Sequence, residues 1–276
     1  MAEPKKKKKI VSADTGEEIT GKKAKKKVVE AAPVGNAGGL RAGAVILWIV
    51  ALVFEVLAYF VFTGKIYWKI LPSMYLLVAF LVLDLVCVIV GAQFWKKANH
   101  IKPASEKNKV KFWLWNNMGL IACAVAFIPF VILALTNKEA DKKTKAIATV
   151  VAVIALLIGG LASYEWNPIS EEEQEAAIAA ISSEVYWAPF GKVYHTPTGE
   201  VDENGDEIFC SSLNRSETLS HGTVEQAIAA GRTRLCSFCA KRDDIDTTGV
   251  KTDEQVVDEE DVEEVEEDTT DDTAEE

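Results

Sequence analysis

Four separated apolar runs, at residues 42–63, 72–94, 112–136 and 146–163, constrain this chain more than any other feature. The first has 22 residues. A helix of that length is about 33 Å long, enough to cross a hydrocarbon core of roughly 30 Å. No small-residue cleavage site precedes Lys65, so the run reads as a span and not as a signal peptide. The expected fold is a membrane all-α domain of four transmembrane helices, with a small α+β module and disordered termini outside it.

The second run opens on Pro72, at a position where a helix tolerates proline, and Pro129 predicts a kink in the third. The fourth run is the shortest at 18 residues and carries no charge. Its Ala148, Ala152, Ala155, Gly159 and Ala162 alternate spacings of four and three, a stripe that lets another helix approach closely. Tyr67, Trp68, Trp95, Trp113, Trp115, Tyr164 and Trp166 sit at or beyond the ends of the runs, as the interfacial preference of aromatic rings requires.

Charge sets the expected orientation. The three connections carry two, six and four Lys/Arg in order, and residues 1–41 carry eleven. The excess of positive charge places the amino terminus and the second connection in the cytosol, and four crossings return the carboxyl terminus to the same side. The expected location is a cell membrane, in a multi-pass protein of bacterial type. Five cysteines, two of them inside apolar runs, fit a reducing compartment better than a disulfide framework.

The net charge of -11 averages two unlike ends: residues 1–41 hold eleven Lys/Arg against five Asp/Glu, and residues 165–276 hold seven against thirty-one. Residues 1–41 read as a disordered basic arm that orients the protein and can contact anionic lipid. Its lysines have no interleaved aromatic residue, which disfavours nucleic acid as a partner. Residues 165–183 read as a helical stalk, capped by Ser170 with Glu173 and ending near Ile181. Residues 184–242 form a compact module, and residues 243–276 an acidic disordered tail.

Within the module, His195, Cys210, Cys236 and Cys239 follow the order His-x14-Cys-x25-Cys-x2-Cys. A Cys-x-x-Cys turn brings two thiolates to one ion, and all four ligands complete a tetrahedral Cys3His zinc site. Structural zinc supplies roughly 10 to 16 kcal/mol of apparent binding energy, which in a domain this small is folding energy. A redox dithiol at Cys236 and Cys239 and a metal-free fold are the alternatives. The dithiol reading lacks the flanking strand and helix of a thioredoxin-like motif, and no His follows Cys239 for haem attachment. His221 is a second candidate for the nitrogen ligand, beside Gly222 in what reads as a surface loop. Asp202, Asn204 and Asp206 do not make a calcium loop, because Leu213 occupies the closing Glu position.

Locally, residues 185–188 and 192–195 read as a hairpin about Pro189-Phe190-Gly191, and Thr223 as the cap of a helix that Gly231 ends. Val193-Tyr194-His195, Cys210-Ser211-Ser212-Leu213, Thr223-Val224-Glu225-Gln226-Ala227, Ala230-Gly231 and Cys236-x-x-Cys239 together resemble an Ada-like metal-binding module over about fifty residues. The resemblance implies a strand pair and one helix around zinc, with His195, Cys210, Cys236 and Cys239 as ligands. Two departures stand out: the first ligand is a histidine instead of a cysteine, and residues 198–205 widen the gap before Cys210, with Asn204-Gly205 as a hairpin tip. The DNA-repair chemistry of Ada itself is not carried over.

Glu55 and Asp84 are the formally charged residues well inside the runs, and each costs up to roughly 3 kcal/mol at a helix centre. Antiparallel neighbours can bring them together as a proton or cation site. The structural alternative is a protonated acid bonded to a neighbour such as Tyr59. No catalytic arrangement and no organic cofactor site is evident, so the chain reads as non-enzymatic. The leading expectation is a membrane tether whose cytosolic zinc module binds an unidentified protein partner, with oligomerisation open. The alternative is a small proton or cation conductor using Glu55 and Asp84, with the zinc module as gate or sensor.

Overall fold

The computed structural model describes residues 26–138, 140–203 and 205–254. The first lysine cluster, most of the second, Asn204 of the expected hairpin tip and the acidic stretch beyond residue 254 lie outside the described residues.

Four helices are long and apolar enough to cross a membrane: α1 (Ala37–Phe62), α2 (Ser73–Ile101), α4 (Met118–Thr136) and α5 (Lys142–Ser163), with a short α3 (Lys109–Asn116) before α4. Polar side chains cap the start of α1 and of α5. The Asn36 side chain accepts from the Gly38 and Gly39 N–H groups at 2.9 and 3.2 Å, and Asp141 accepts from Lys143 and Thr144 at 3.0 Å each. Between helices in lipid the drive is close packing more than apolar burial, and small residues make the contact. On α1, Ala37, Ala44, Ala51 and Ala58 are buried at intervals of seven. On α5, Ala148, Ala152, Ala155 and Gly159 are buried as the stripe predicted, and Ser163 takes the fifth place instead of Ala162. Ile46, Ile49, Leu157 and Leu161 point outward, an arrangement suited to lipid tails.

Two details depart from expectation. The third run, which has Pro129 inside α4, is interrupted at Asn117, between α3 and α4, a break that was not expected. There the Asn117 side chain competes for backbone groups: its amide donates to the Trp113 carbonyl at 3.1 Å, and its oxygen accepts from the Glu165 N–H at 3.2 Å. The second is α2, expected to end at residue 94, which has 29 residues and continues to Ile101. At about 44 Å it outreaches the hydrocarbon core, so its last turns stand clear of the apolar layer. Trp95, expected at the water boundary, is buried among aromatic neighbours, 5.5 Å from Trp48 and 5.1 Å from Trp115 between ring centres.

Beyond the bundle, α6 (Glu171–Ala180) leads into a small mixed sheet of β1 (Lys27–Glu30), β2 (Val185–Trp187), β3 (Val193–His195), β4 (Thr218–Gly222) and β5 (Arg234–Leu235), with α7 (Val224–Ala229) and α8 (Ser237–Arg242) beside it. The strand order is β1-β4-β2-β3-β5; β1 runs parallel to β4 and β5 parallel to β3, and the inner pairs are antiparallel. The expected hairpin is β2 and β3, and Thr223 forms a full capping box with Gln226 at the start of α7. Ser170 does the same with Glu173 at the start of α6.

Three boundaries drawn from sequence are corrected. The basic arm is ordered from Lys27, because β1 adds as an edge strand through backbone bonds and needs no buried side chain of its own. The stalk does not stand between two domains: Ile169, Ala177 and Ile181 belong to the same apolar core as Val185, Tyr194 and Leu235. The acidic tail begins later than residue 243, since Val250 is buried in that core and Leu235 and Thr252 form a β-bridge.

The core module is also fastened to the bundle. Glu171 N–H donates to the Ala104 carbonyl at 3.1 Å, Glu106 N–H to the Glu172 carboxylate at 3.0 Å, and the Gln174 side chain to the His100 carbonyl at 3.5 Å. The Ser105 hydroxyl and the Glu106 N–H together hold the exposed Glu172 carboxyl down to about 2. Helix α7 packs against the end of α2, where Gly231 lies beside the His100 ring.

Candidate metal centre

Parallel pairing explains how distant ligands meet. The register Tyr194↔Leu235 sets the end of β5 beside the end of β3, and Cys236 N–H donates to the Tyr194 carbonyl at 3.0 Å. Cys236 is therefore next to His195 before any side chain is considered. It is the N-cap of α8, and Cys239 lies one turn along that helix, so both thiols face one point. Cys210 starts a 3₁₀ turn, Ser211–Leu213, and completes the set.

All four side chains are buried: His195 is 4% exposed, Cys210 8%, Cys236 0% and Cys239 1%. Their ligand atoms lie within 4.8 Å of one another, an arrangement that could hold a metal ion. Cys239 Sγ is 3.7 Å from His195 Nδ1, and tetrahedral zinc bonds would set sulfur and nitrogen about 3.6 Å apart. Nδ1 is thus the nitrogen in position, and the three thiols and one imidazole suit a borderline-soft ion. The Cys236 thiol is held well below the ordinary cysteine range, first by a hydrogen bond from Cys239 and then by His195 and the Cys239 N–H; the Cys239 thiol is pushed up because it keeps the donated proton. A metal ion would take that proton's place.

The ring of residues outside the ligands was not singled out from sequence as part of this site. Arg242 donates to the Thr196 hydroxyl at 2.8 Å and to the Pro197 carbonyl at 2.9 Å, and Asp243 accepts from the same hydroxyl. These bonds tie α8 to the segment that follows His195. The Arg242 charge also lies within electrostatic reach of Cys239 and Cys210. Three thiolates around a divalent ion leave a net charge of about -1, which a neighbouring guanidinium offsets. Replacing Arg242 with Met is expected to weaken metal binding about tenfold to a hundredfold with the fold retained at saturating metal, as read by competition with a chromogenic chelator. The available signal was spacing: Arg242 lies three residues after Cys239, on the same helical face.

His221 is not in the cluster. It lies on β4, not in a loop, with Nδ1 3.1 Å from a Glu184 carboxylate oxygen. All five cysteines are free thiols.

No family model, curated protein or solved structure matches this chain. The Ada-like resemblance has no family match behind it, and the metal centre rests on its ligand geometry.

The two acids of the apolar runs lie on neighbouring helices, away from the Cys/His cluster in the chain. Asp84, on α2, is fully buried and neither carboxylate oxygen has a hydrogen-bond partner. Glu55, on α1, is half-buried, close enough to Asp84 for electrostatic interaction, and approaches the Phe130 backbone of α4. Tyr59 bonds to neither acid.

Proposed function

We propose that this is a non-enzymatic membrane protein whose four-helix domain carries a structural zinc centre, and that the centre holds a cytosolic surface for a protein partner. The observation that carries the reading is the buried Cys3His quartet, whose Cys-x-x-Cys turn displays Phe238 at 70% exposure while its two cysteines face inward. A metal that fixes a turn and presents an aromatic side chain from it supplies rigid contact area at low entropic cost. Three of the module's cations are turned to internal use: Arg232 donates to the Ala188 carbonyl at 3.0 Å, Arg242 binds the His195 segment, and Lys241 pairs with Glu254 at 2.8 Å. That favours a protein over nucleic acid as the partner. The test is a photo-crosslinking residue at position 238 of the full-length protein in its native cells. The expected result is a discrete adduct that disappears when His195 is replaced by Ala; labelling indistinguishable from that at an exposed α6 position would sink the adaptor role.

The conductor remains a second reading because of Asp84 alone. A carboxylate without a partner in the middle of a bundle is expensive and marks ion or proton sites in membrane proteins. In vesicles loaded with a pH-sensitive dye, this reading expects a proton or cation flux that Asp84→Asn abolishes with unchanged thermal stability; no flux above empty vesicles removes it.

A further inference from the structure

Where α2 ends, the chain turns through residues 102–108 and encloses, with α1 and α3, a cavity of about 460 Å³. Arg41, Lys102, Lys107 and Lys111 line it together with Asn108 and Trp115, and Glu171 is the one carboxylate on the wall. Lys107 lies 4.0 Å from Glu172 in an exposed pair, whereas Arg41, Lys102 and Lys111 form no ion pair among the described residues. Four cations facing one space with so little compensation attract an anion.

Arg41 is held ready. Its Nη2 donates to the Asn99 side chain at 3.2 Å and to the Lys102 carbonyl at 2.7 Å, and its guanidinium lies 5.2 Å from the Trp115 ring centre. Its Nε is a buried donor with no acceptor. Asn108, the N-cap of α3, fixes the helix that bears Lys111 by accepting from the Lys111 N–H at 3.0 Å.

The depth of the cavity identifies the anion. Val110, Trp113 and Leu114 fall on one face of α3 and are 70%, 47% and 42% exposed, while Lys111 and Trp115, one turn apart, line the cavity. An eight-residue helix with an exposed apolar face and a basic face lies along a membrane interface, at the level of lipid phosphates. We propose that the cavity binds the phosphate group of an anionic lipid headgroup, with Arg41, Lys102 and Lys111 as its principal contacts. From the basic arm the cavity takes Arg41, and the site does not depend on the metal centre.

Full-length protein in non-ionic detergent, titrated with phosphatidylglycerol and read by native mass spectrometry, tests this. One phosphatidylglycerol per chain is expected to persist at activation energies that strip phosphatidylcholine. Lys102 and Lys111 are both exposed, so Lys102→Gln with Lys111→Gln preserves the fold; it is expected to weaken that lipid at least about tenfold. Lys65→Gln with Lys69→Gln, in the first connection at the other end of the bundle, is expected to change nothing. If inorganic phosphate displaces the lipid, the phosphate group alone is recognised; if it does not, recognition extends into the rest of the lipid. Equal retention of phosphatidylcholine, unchanged binding in the Lys102/Lys111 variant, or an equal loss in the Lys65/Lys69 variant would overturn the proposal.

Discussion

Replacing Cys236 and Cys239 together by Ser in the full-length protein is expected to remove one zinc per chain and to unfold the sheet module, leaving the four-helix domain intact. The module's apolar core is small, and its strands have two to five residues each. Domains of this size close their free-energy balance with a staple. Here the four ligands come from the end of β3, the 3₁₀ turn and the start of α8, so one ion joins segments up to 44 residues apart. Apparent zinc binding of roughly 10 to 16 kcal/mol exceeds what such a core nets without metal. Elemental analysis gives the stoichiometry, and limited proteolysis separates the outcomes: new cleavage is expected within residues 164–254 and around β1, whose partners belong to the module, with residues 37–163 resistant. A variant that keeps its zinc, or loses it with the module still resistant, contradicts the structural-metal reading. The same test on a fragment of residues 184–242 would mislead, because it would lack α6 and the Val250 segment, which pack on that core, and β1, which extends its sheet.

Gly119→Ile is expected to be the most damaging single change in the bundle. A Cβ at residue 119 would lie 2.5 Å from the Ala92 Cβ, 3.2 Å from the Ala92 Cα and 3.3 Å from the Ser163 carbonyl oxygen. Two of those atoms are backbone, so α2, α4 and α5 would have to separate where all three meet. Overpacking of that kind costs about 1 to 3 kcal/mol for side-chain clashes and more when backbone must move. Small-residue contacts are also the main attraction between helices in lipid, so separation forfeits the packing that holds the bundle. Thermal unfolding in detergent should fall by several degrees, and Gly119→Ala should fall less. An unchanged midpoint for the Ile variant would mean that the three helices do not meet as described.

The limits of sequence reading follow the range of the interactions. The four long apolar helices are written locally, because each apolar run carries its own length and the fourth its own stripe of small residues. The capping box at Ser170 and the helix cap at Thr223 are local signals and were legible, and the structure adds Gln226 as the partner of Thr223. The ligand quartet was legible as a set of residue types, although sequence left His195 and His221 as rivals. Only the fold separates them: parallel pairing of β3 with β5 brings His195 to Cys236, while β4 carries His221 to Glu184.

What sequence missed was non-local. β1 is a four-residue strand after a run of lysines, and its partner begins at Thr218, so nothing near Lys27 in the chain announces a sheet. The Val250 segment sits among acids and is ordered by its contact with a core built from residues 169–240. Arg41 and Arg242 were not singled out from sequence, yet one lines a basic cavity beside Trp115 and the other lies within electrostatic reach of the thiols. By itself the sequence determined what is set by period, length and residue chemistry: four helices long and apolar enough to cross a membrane and a possible Cys/His metal site. The tertiary structure decided which distant segments meet, because strand pairing and side-chain charge compensation act through space and leave no periodic trace along the chain.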